Sequence, residues 1–279
     1  MHIPKAAGTA LRVGLERALA PRRSVVGYCR VHFGAFDRFD TMSPEMRSRV
    51  FVTPDEVPAG ADFIYGHISD SFLRYAYPEA QYLTLLREPR ARLLSLWAFC
   101  RTQSDAFLAP WGAWAERIRR ARAPLRTFLA DRTLADITDN VAVRMVLGPH
   151  RLIPNDDVIA SSADGELIDQ AVERLRNYAY VDLVENPATA DNLARWIGRP
   201  VELPRVNETP AMPAVLRTPL ERELDPETLR LMTELGRLDT ALWQAVAGCR
   251  IHDSDPVGFA DTSFSATVAR HAVLFADPR

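Results

Sequence analysis

The sequence has almost no lysine: of its 34 basic residues only Lys5 is one, and all the others are arginine. Wherever a positive charge alone suffices this chain uses a guanidinium, so the single ammonium needs a reason of its own. A compact ammonium on a flexible stem approaches one oxygen as a point charge, which a planar guanidinium fork cannot copy. Cysteine is scarce too. Cys29, Cys100 and Cys249 are far apart, odd in number and without CxxC or Cys/His ligand spacing, which argues against a disulfide framework or a zinc ribbon and for reduced, packed thiols. No apolar run approaches the roughly 18 residues of a membrane span, and no charged-then-apolar leader opens the chain. The location expected on these grounds is the cytoplasm. An excess of charge of either sign is also missing. A formal net charge of -2 supplies no global basic field, so nucleic acid is not an expected partner.

What is present suits a folded domain. With 279 residues, 47% hydrophobic and 25% charged, the chain can bury a sizeable core without disulfides or metal, and neither wholesale disorder nor a fibrous rod fits such a composition. Helical and strand-like patterns alternate, which predicts an α/β fold with a central, mostly parallel sheet flanked by helices. Residues 9–19 carry Leu11, Leu15 and Leu19 on one helical stripe, and 24–28 and 62–65 read as short strands. The clearest strand is 81–86. It runs into a helix over 89–101 that begins with Pro89 at its first position, where a missing N–H costs nothing. Residues 111–147 read as mostly helical with a break at Pro124, and 165–177 continue in that style. A strand over 178–184 and a helix through Trp196 follow, closed by Gly198 and Pro200. The proline-rich stretch 204–219 reads as a loop or lid and 226–247 as one helix. The expected domain covers residues 1–250, with 251–279 an irregular tail that has no assigned place.

Two segments carry chemistry. The first, His2-Ile3-Pro4-Lys5-Ala6-Ala7-Gly8-Thr9, has the layout of an anion cradle: a strand end, a tight loop of small residues, then a helix N-terminus. Exposed N–H groups and the helix dipole favour a bound phosphate there, and Lys5 and Thr9 add a charge and a hydroxyl. It is not a Walker A loop, in which the lysine follows the glycines. The second, Leu86-Arg87-Glu88-Pro89-Arg90-Ala91-Arg92-Leu93-Leu94-Ser95, follows a strand. Arg87 leaves the strand end, and Ser95, two helical turns on, shares a face with residues 88 and 91–92 and can point at the same anion. Between them, Tyr65-Gly66-His67 ends a strand where open α/β sheets bind ligands.

Together these letters resemble the sulfotransferases that use 3′-phosphoadenosine 5′-phosphosulfate (PAPS), most closely the HIPKTGGTS form of the heparan sulfate 2-O- and 6-O-sulfotransferase group and its bacterial relatives. The resemblance covers residues 1–100 and fades beyond them. It implies a P-loop-like sulfotransferase fold and transfer of a sulfuryl group from PAPS to a hydroxyl-bearing acceptor, a carbohydrate or glycolipid, without a metal. Lys5, Ala7, Gly8 and Thr9 would hold the 5′-phosphosulfate, and Arg87 and Ser95 the 3′-phosphate. Lys5 would also stabilise charge on the leaving oxygens, and His67 would act as base, with His32, Glu88 and an acid from the helical layer as rivals. Two letters depart from the pattern: Ala6 replaces a hydroxyl residue and Ala7 a glycine. The family's loop is fed by a buried first strand, whereas only residues 1–3 stand before Pro4, so a truncated first strand is expected. Two competing readings remain at this point: a noncatalytic relative that binds nucleotide or glycan, and a P-loop small-molecule kinase, which lacks its Walker lysine and magnesium ligands here. Asn207-Glu208-Thr209-Pro210 resembles a family loop that closes over nucleotide. Arg117, Arg119, Arg120, Arg122 and Arg126 read as a solvated face, and Trp111 and Trp114 as packing residues.

Overall fold

A computed structural model describes residues 1–204, 210–251 and 255–276. Among the described residues five strands form two parallel sheets. In the first, β1 (Ser24–Cys29) lies between β2 (Val50–Phe51) and β3 (Phe63–His67); in the second, β4 (Leu83–Leu86) pairs with β5 (Tyr180–Leu183). The expected single central sheet is therefore interrupted between β3 and β4. Residues 1–3 stand in the interruption: the Met1 nitrogen donates to Leu83 O at 3.1 Å, and His2 N donates to Gly66 O at 2.9 Å. They act as a strand stub joining the two sheets into one layer.

Helices cover both faces of that layer. On one face, α1 (Gly8–Leu19) presents Leu11 and Leu15 to Phe63 and Tyr65 of β3 and to Leu85 and Tyr180 of the other sheet, one cluster spanning the gap. On the other, α2 (Asp70–Ala76) packs with the apolar residues of 141–147 and 164–176 against Leu86, Val181 and Leu183. Strand alternation thus sends side chains to two buried faces, as doubly covered parallel strands require. Behind β4 runs α3 (Pro89–Arg101). Its start matches the sequence expectation residue for residue because the Glu88 carboxylate accepts from Ala91 N and caps it.

Two expectations about the C-terminal third need correction. Residues 226–247 are not one helix but α4 (Pro226–Leu235) and α5 (Arg237–Arg250), divided at Gly236. A Cβ at Gly236 would stand 2.9 Å from the Pro89 Cβ, and the Asn140 carboxamide oxygen accepts from Leu238 N at the start of α5. Nor is 251–279 an irregular tail. Residues Pro256–Phe275 form α6, opened by Asp255 accepting from Gly258 N with Pro256 in the first turn. Ala260, Phe264, Thr267, His271 and Phe275 make up its buried stripe, and Phe275 stacks on Trp97 of α3 at 5.0 Å. The stripe escaped the hydrophobic pattern because two of its five members are polar.

Behind Met1 the interruption opens into a cavity of about 800 Å³, lined by Phe63 and Ile64 of β3, Tyr82 and Leu83 at β4, Leu15 of α1 and Trp196. Among the described residues the two facing strand edges lack a strand partner there. About five strand-forming residues added ahead of Met1 would fill the cavity at ~3.3 Å per residue. Such an extension raises Tm by several degrees in thermal unfolding; an unchanged or lower Tm contradicts this account of the gap.

Candidate functional site

The opening loop is built around backbone that side chains seldom adopt. Lys5 has φ 67° and Ala7 φ 54°, and Ala7 is the N-cap of α1 with no side chain bonding to the helix's first N–H groups and no acidic residue in its first turn. The positive end of the α1 dipole thus meets neither a side-chain cap on Ala7 nor an acidic residue in the helix's own first turn. Gly8 is obligatory for a different reason: a Cβ there would lie 1.9 Å from His2 Nε2. Tyr65, at the middle of β3, donates from its hydroxyl to Gly8 O at 2.7 Å and ties the loop to the sheet. Burial holds that phenol protonated.

Lys5 is half-buried, with its ammonium 3.9 Å from the centre of the Phe99 ring, and no carboxylate pairs with it among the described residues. Burial, with the nearby Arg87 guanidinium adding to it against the Cys100 sulfur, pushes its pKa down to about 8. The Arg87 guanidinium lies beside the loop and donates from Nη1 to Lys5 O at 3.0 Å. So the two sequence motifs, 82 residues apart, are joined by a direct hydrogen bond. Arg87 likewise has no ion pair among the described residues. Desolvation first, then Arg270 and Arg92, bring its pKa down to about 10, against the opposing pull of Glu185 and Glu88. Desolvated cations lacking a protein counter-ion are costly, and an anion removes the cost.

His67 closes the other side. Its Nδ1 lies 2.9 Å from His2 O, so it must be the donor, which leaves the Nε2 lone pair free to take a proton. The ring sits in a stack, 4.8 Å from His2 and 4.7 Å from His32. Burial, opposed by the His2 carbonyl and reinforced by Lys5, brings His67 down to about 4, and desolvation holds His2 and His32 well below the ordinary histidine value. All three are neutral near pH 7. Gly66 makes this packing possible: at φ 148° its missing Cβ would fall 1.9 Å from Gly27 O on β1.

Of the expected site residues, Lys5, Ala7, Gly8 and Thr9 form the loop and helix start, with Arg87 and His67 beside them. Ser95 lies buried two turns into α3, and its hydroxyl makes no hydrogen bond among the described residues. His32 belongs to the histidine stack. Glu88 does not qualify as a base, since its carboxylate is taken up by capping Ala91 N and pairing with Arg90 at 2.7 Å. Asn207, Glu208 and Thr209 lie outside the described residues. The helical arginines are a paired face: Arg117 meets Asp136, Arg119 and Arg122 meet Asp105, and Arg120 meets Asp131. Trp114 is core, and Trp111 packs edge-on to Tyr28. Sequence reasoning missed His2, whose signal was its place in the first motif, and Thr267, Arg270 and His271 of α6, which had none.

No family model matches this chain, and no curated protein matches it. No helix is long and apolar enough to cross a membrane among the described residues, and no group of three or more His, Cys, Asp or Glu there is placed to hold a metal ion.

Neighbouring substitutions should act in opposite directions. Ala7→Gly relieves a left-handed alanine and raises stability by about 1 kcal/mol. Gly8→Ala drives a methyl into His2 and lowers stability by about 2 kcal/mol or more. Denaturant unfolding of the two variants checks the pair, and a destabilised Ala7→Gly would refute the strained loop.

Proposed function

We propose that this α/β protein is a PAPS-dependent sulfotransferase acting on a hydroxyl of a carbohydrate or glycolipid. The observation that carries the reading is the bond from Arg87 to Lys5 O: it joins the two motifs the family resemblance assigns to the two ends of PAPS in one cationic cluster that has no carboxylate ion pair among the described residues. The residues suit such a ligand. Lys5 and the start of α1, whose N-cap Ala7 brings no side-chain cap, fit a 5′-phosphosulfate, and Arg87 with the Ser95 hydroxyl, which has no hydrogen bond among the described residues, fits a 3′-phosphate.

When bound, PAPS supplies an activated sulfuryl group on a phosphate leaving group. The chain's part is positioning and electrostatics. His67 Nε2 accepts the acceptor hydroxyl's proton as the new O–S bond forms and the bond from sulfur to the phosphate oxygen breaks. Lys5 and the N–H groups of the loop hold the charge that develops on the departing oxygen, with the product 3′-phosphoadenosine 5′-phosphate (PAP) leaving. His2 O fixes the tautomer of His67, so the lone pair faces away from the backbone.

Sulfotransfer from PAPS, followed with a panel of glycan and glycolipid acceptors, tests the reading. Lys5→Ala lowers kcat by about a hundredfold or more while PAP affinity falls far less, as expected for a group that acts mainly in the transition state. The pH profile of kcat/KM has two limbs. Activity requires neutral His67 and so rises through about pH 4; it requires charged Lys5 and so falls through about pH 8. A fully active Lys5→Ala variant contradicts the mechanism, as does a profile that continues to rise past pH 9.

A further inference from the structure

The helix α6 brings three polar residues to Arg87. Thr267 Oγ1 accepts from Arg87 Nη2 and from Arg270 Nη2, each at 3.3 Å, so two guanidiniums from opposite ends of the chain converge on one oxygen. Arg270 has no carboxylate partner among the described residues, and Arg87 has none. One turn on, His271 is buried with Nδ1 2.9 Å from Thr267 O. A carbonyl only accepts, so Nδ1 carries the proton and Nε2 presents a bare lone pair. That Nε2 is buried and has no hydrogen-bond partner. A buried acceptor left unsatisfied is costly and points to a donor supplied from outside the chain.

We propose that α6 is part of the nucleotide site and reads a phosphate monoester with a neighbouring hydroxyl on the same sugar: Arg270 joins Arg87 on the phosphate, and His271 Nε2 accepts from the hydroxyl. This rests on the PAPS reading and extends it to the ribose, whose 2′-hydroxyl adjoins the 3′-phosphate. Thr267 is a positioning residue. Its hydroxyl uses one N–H of each guanidinium and leaves the others for the ligand, since a guanidinium carries five. The polar residues that break the apolar stripe of α6 then have a purpose, because they sit where the helix crosses Arg87 rather than where it crosses Trp97. Arg270 is exposed, so replacing it leaves the core untouched.

Isothermal titration with PAP, its 2′-deoxy analogue and 5′-AMP tests the inference. Arg270→Gln weakens PAP about tenfold and leaves 5′-AMP, which lacks the 3′-phosphate, unchanged. Loss of the 2′-hydroxyl weakens binding to the unsubstituted protein about fivefold, and His271→Leu abolishes that difference. Should His271→Leu fail to fold, the 2′-deoxy comparison on the unsubstituted protein and the Arg270→Gln titration decide alone. Equal affinity of Arg270→Gln for PAP, or of the unsubstituted protein for PAP and its 2′-deoxy analogue, overturns the role of α6 while leaving the PAPS reading intact. Failure of the unsubstituted protein to bind PAP at all overturns the PAPS reading and this inference with it.

Discussion

A desolvated ammonium that pairs with no carboxylate among the described residues governs the arrangement of this site. Lys5 stands on a left-handed backbone, over Phe99, with the Arg87 guanidinium bonded to its own carbonyl. The Phe99 contact and the hydrogen bond are favourable, but the backbone and the charges cost free energy in the free protein: strained φ values cost of order 1 kcal/mol or more each, and desolvated like charges repel. A fold keeps such a cluster only if surrounding structure over-determines it. Here Tyr65 clamps Gly8 from the sheet, His2 fills the space a Gly8 side chain would need, and α6 closes over Arg87. On the proposed function, a bound anion would offset these costs.

The same logic explains why the histidines are neutral. His67, His2 and His32 are stacked and desolvated beside Lys5, so none can hold a second positive charge cheaply. Neutrality is what a base requires, and the His2 carbonyl fixes which nitrogen is free. An anionic ligand at Lys5 would raise His67 toward neutrality, bringing its basicity nearer the working pH in the complex than in the free protein.

What the sequence disclosed was local. The loop from His2 to Thr9 and the segment from Arg87 to Ser95 were legible because strand end, turn and helix start are neighbours in the chain, and each carries its own anion chemistry. Glu88 looked like a possible base because a carboxylate's partners cannot be read from letters; capping and Arg90 consume it. The arginines of 117–122 are matched by acids 14 to 19 residues away for Arg119, Arg122 and Arg117, pairings that exist only after folding. The tail was illegible for the reason that makes it interesting: Thr267 and His271 interrupt its apolar stripe because they face charge. The break between β3 and β4 could be expected only as a short first strand; that residues 1–3 would still bridge both edges is a matter of three-dimensional register.

The most direct test of the central claim, that the cationic cluster of Lys5 and Arg87 is a site for a 3′-phosphorylated nucleotide, is thermal unfolding with PAP beside 5′-AMP and magnesium-ATP. At about a hundred times its Kd, a ligand stabilises by roughly 2.7 kcal/mol, on the order of 5 to 10 °C for a chain of this size. The account predicts such a shift with PAP and a clearly smaller one with 5′-AMP. A shift with magnesium-ATP alone, or none with any of the three, contradicts it.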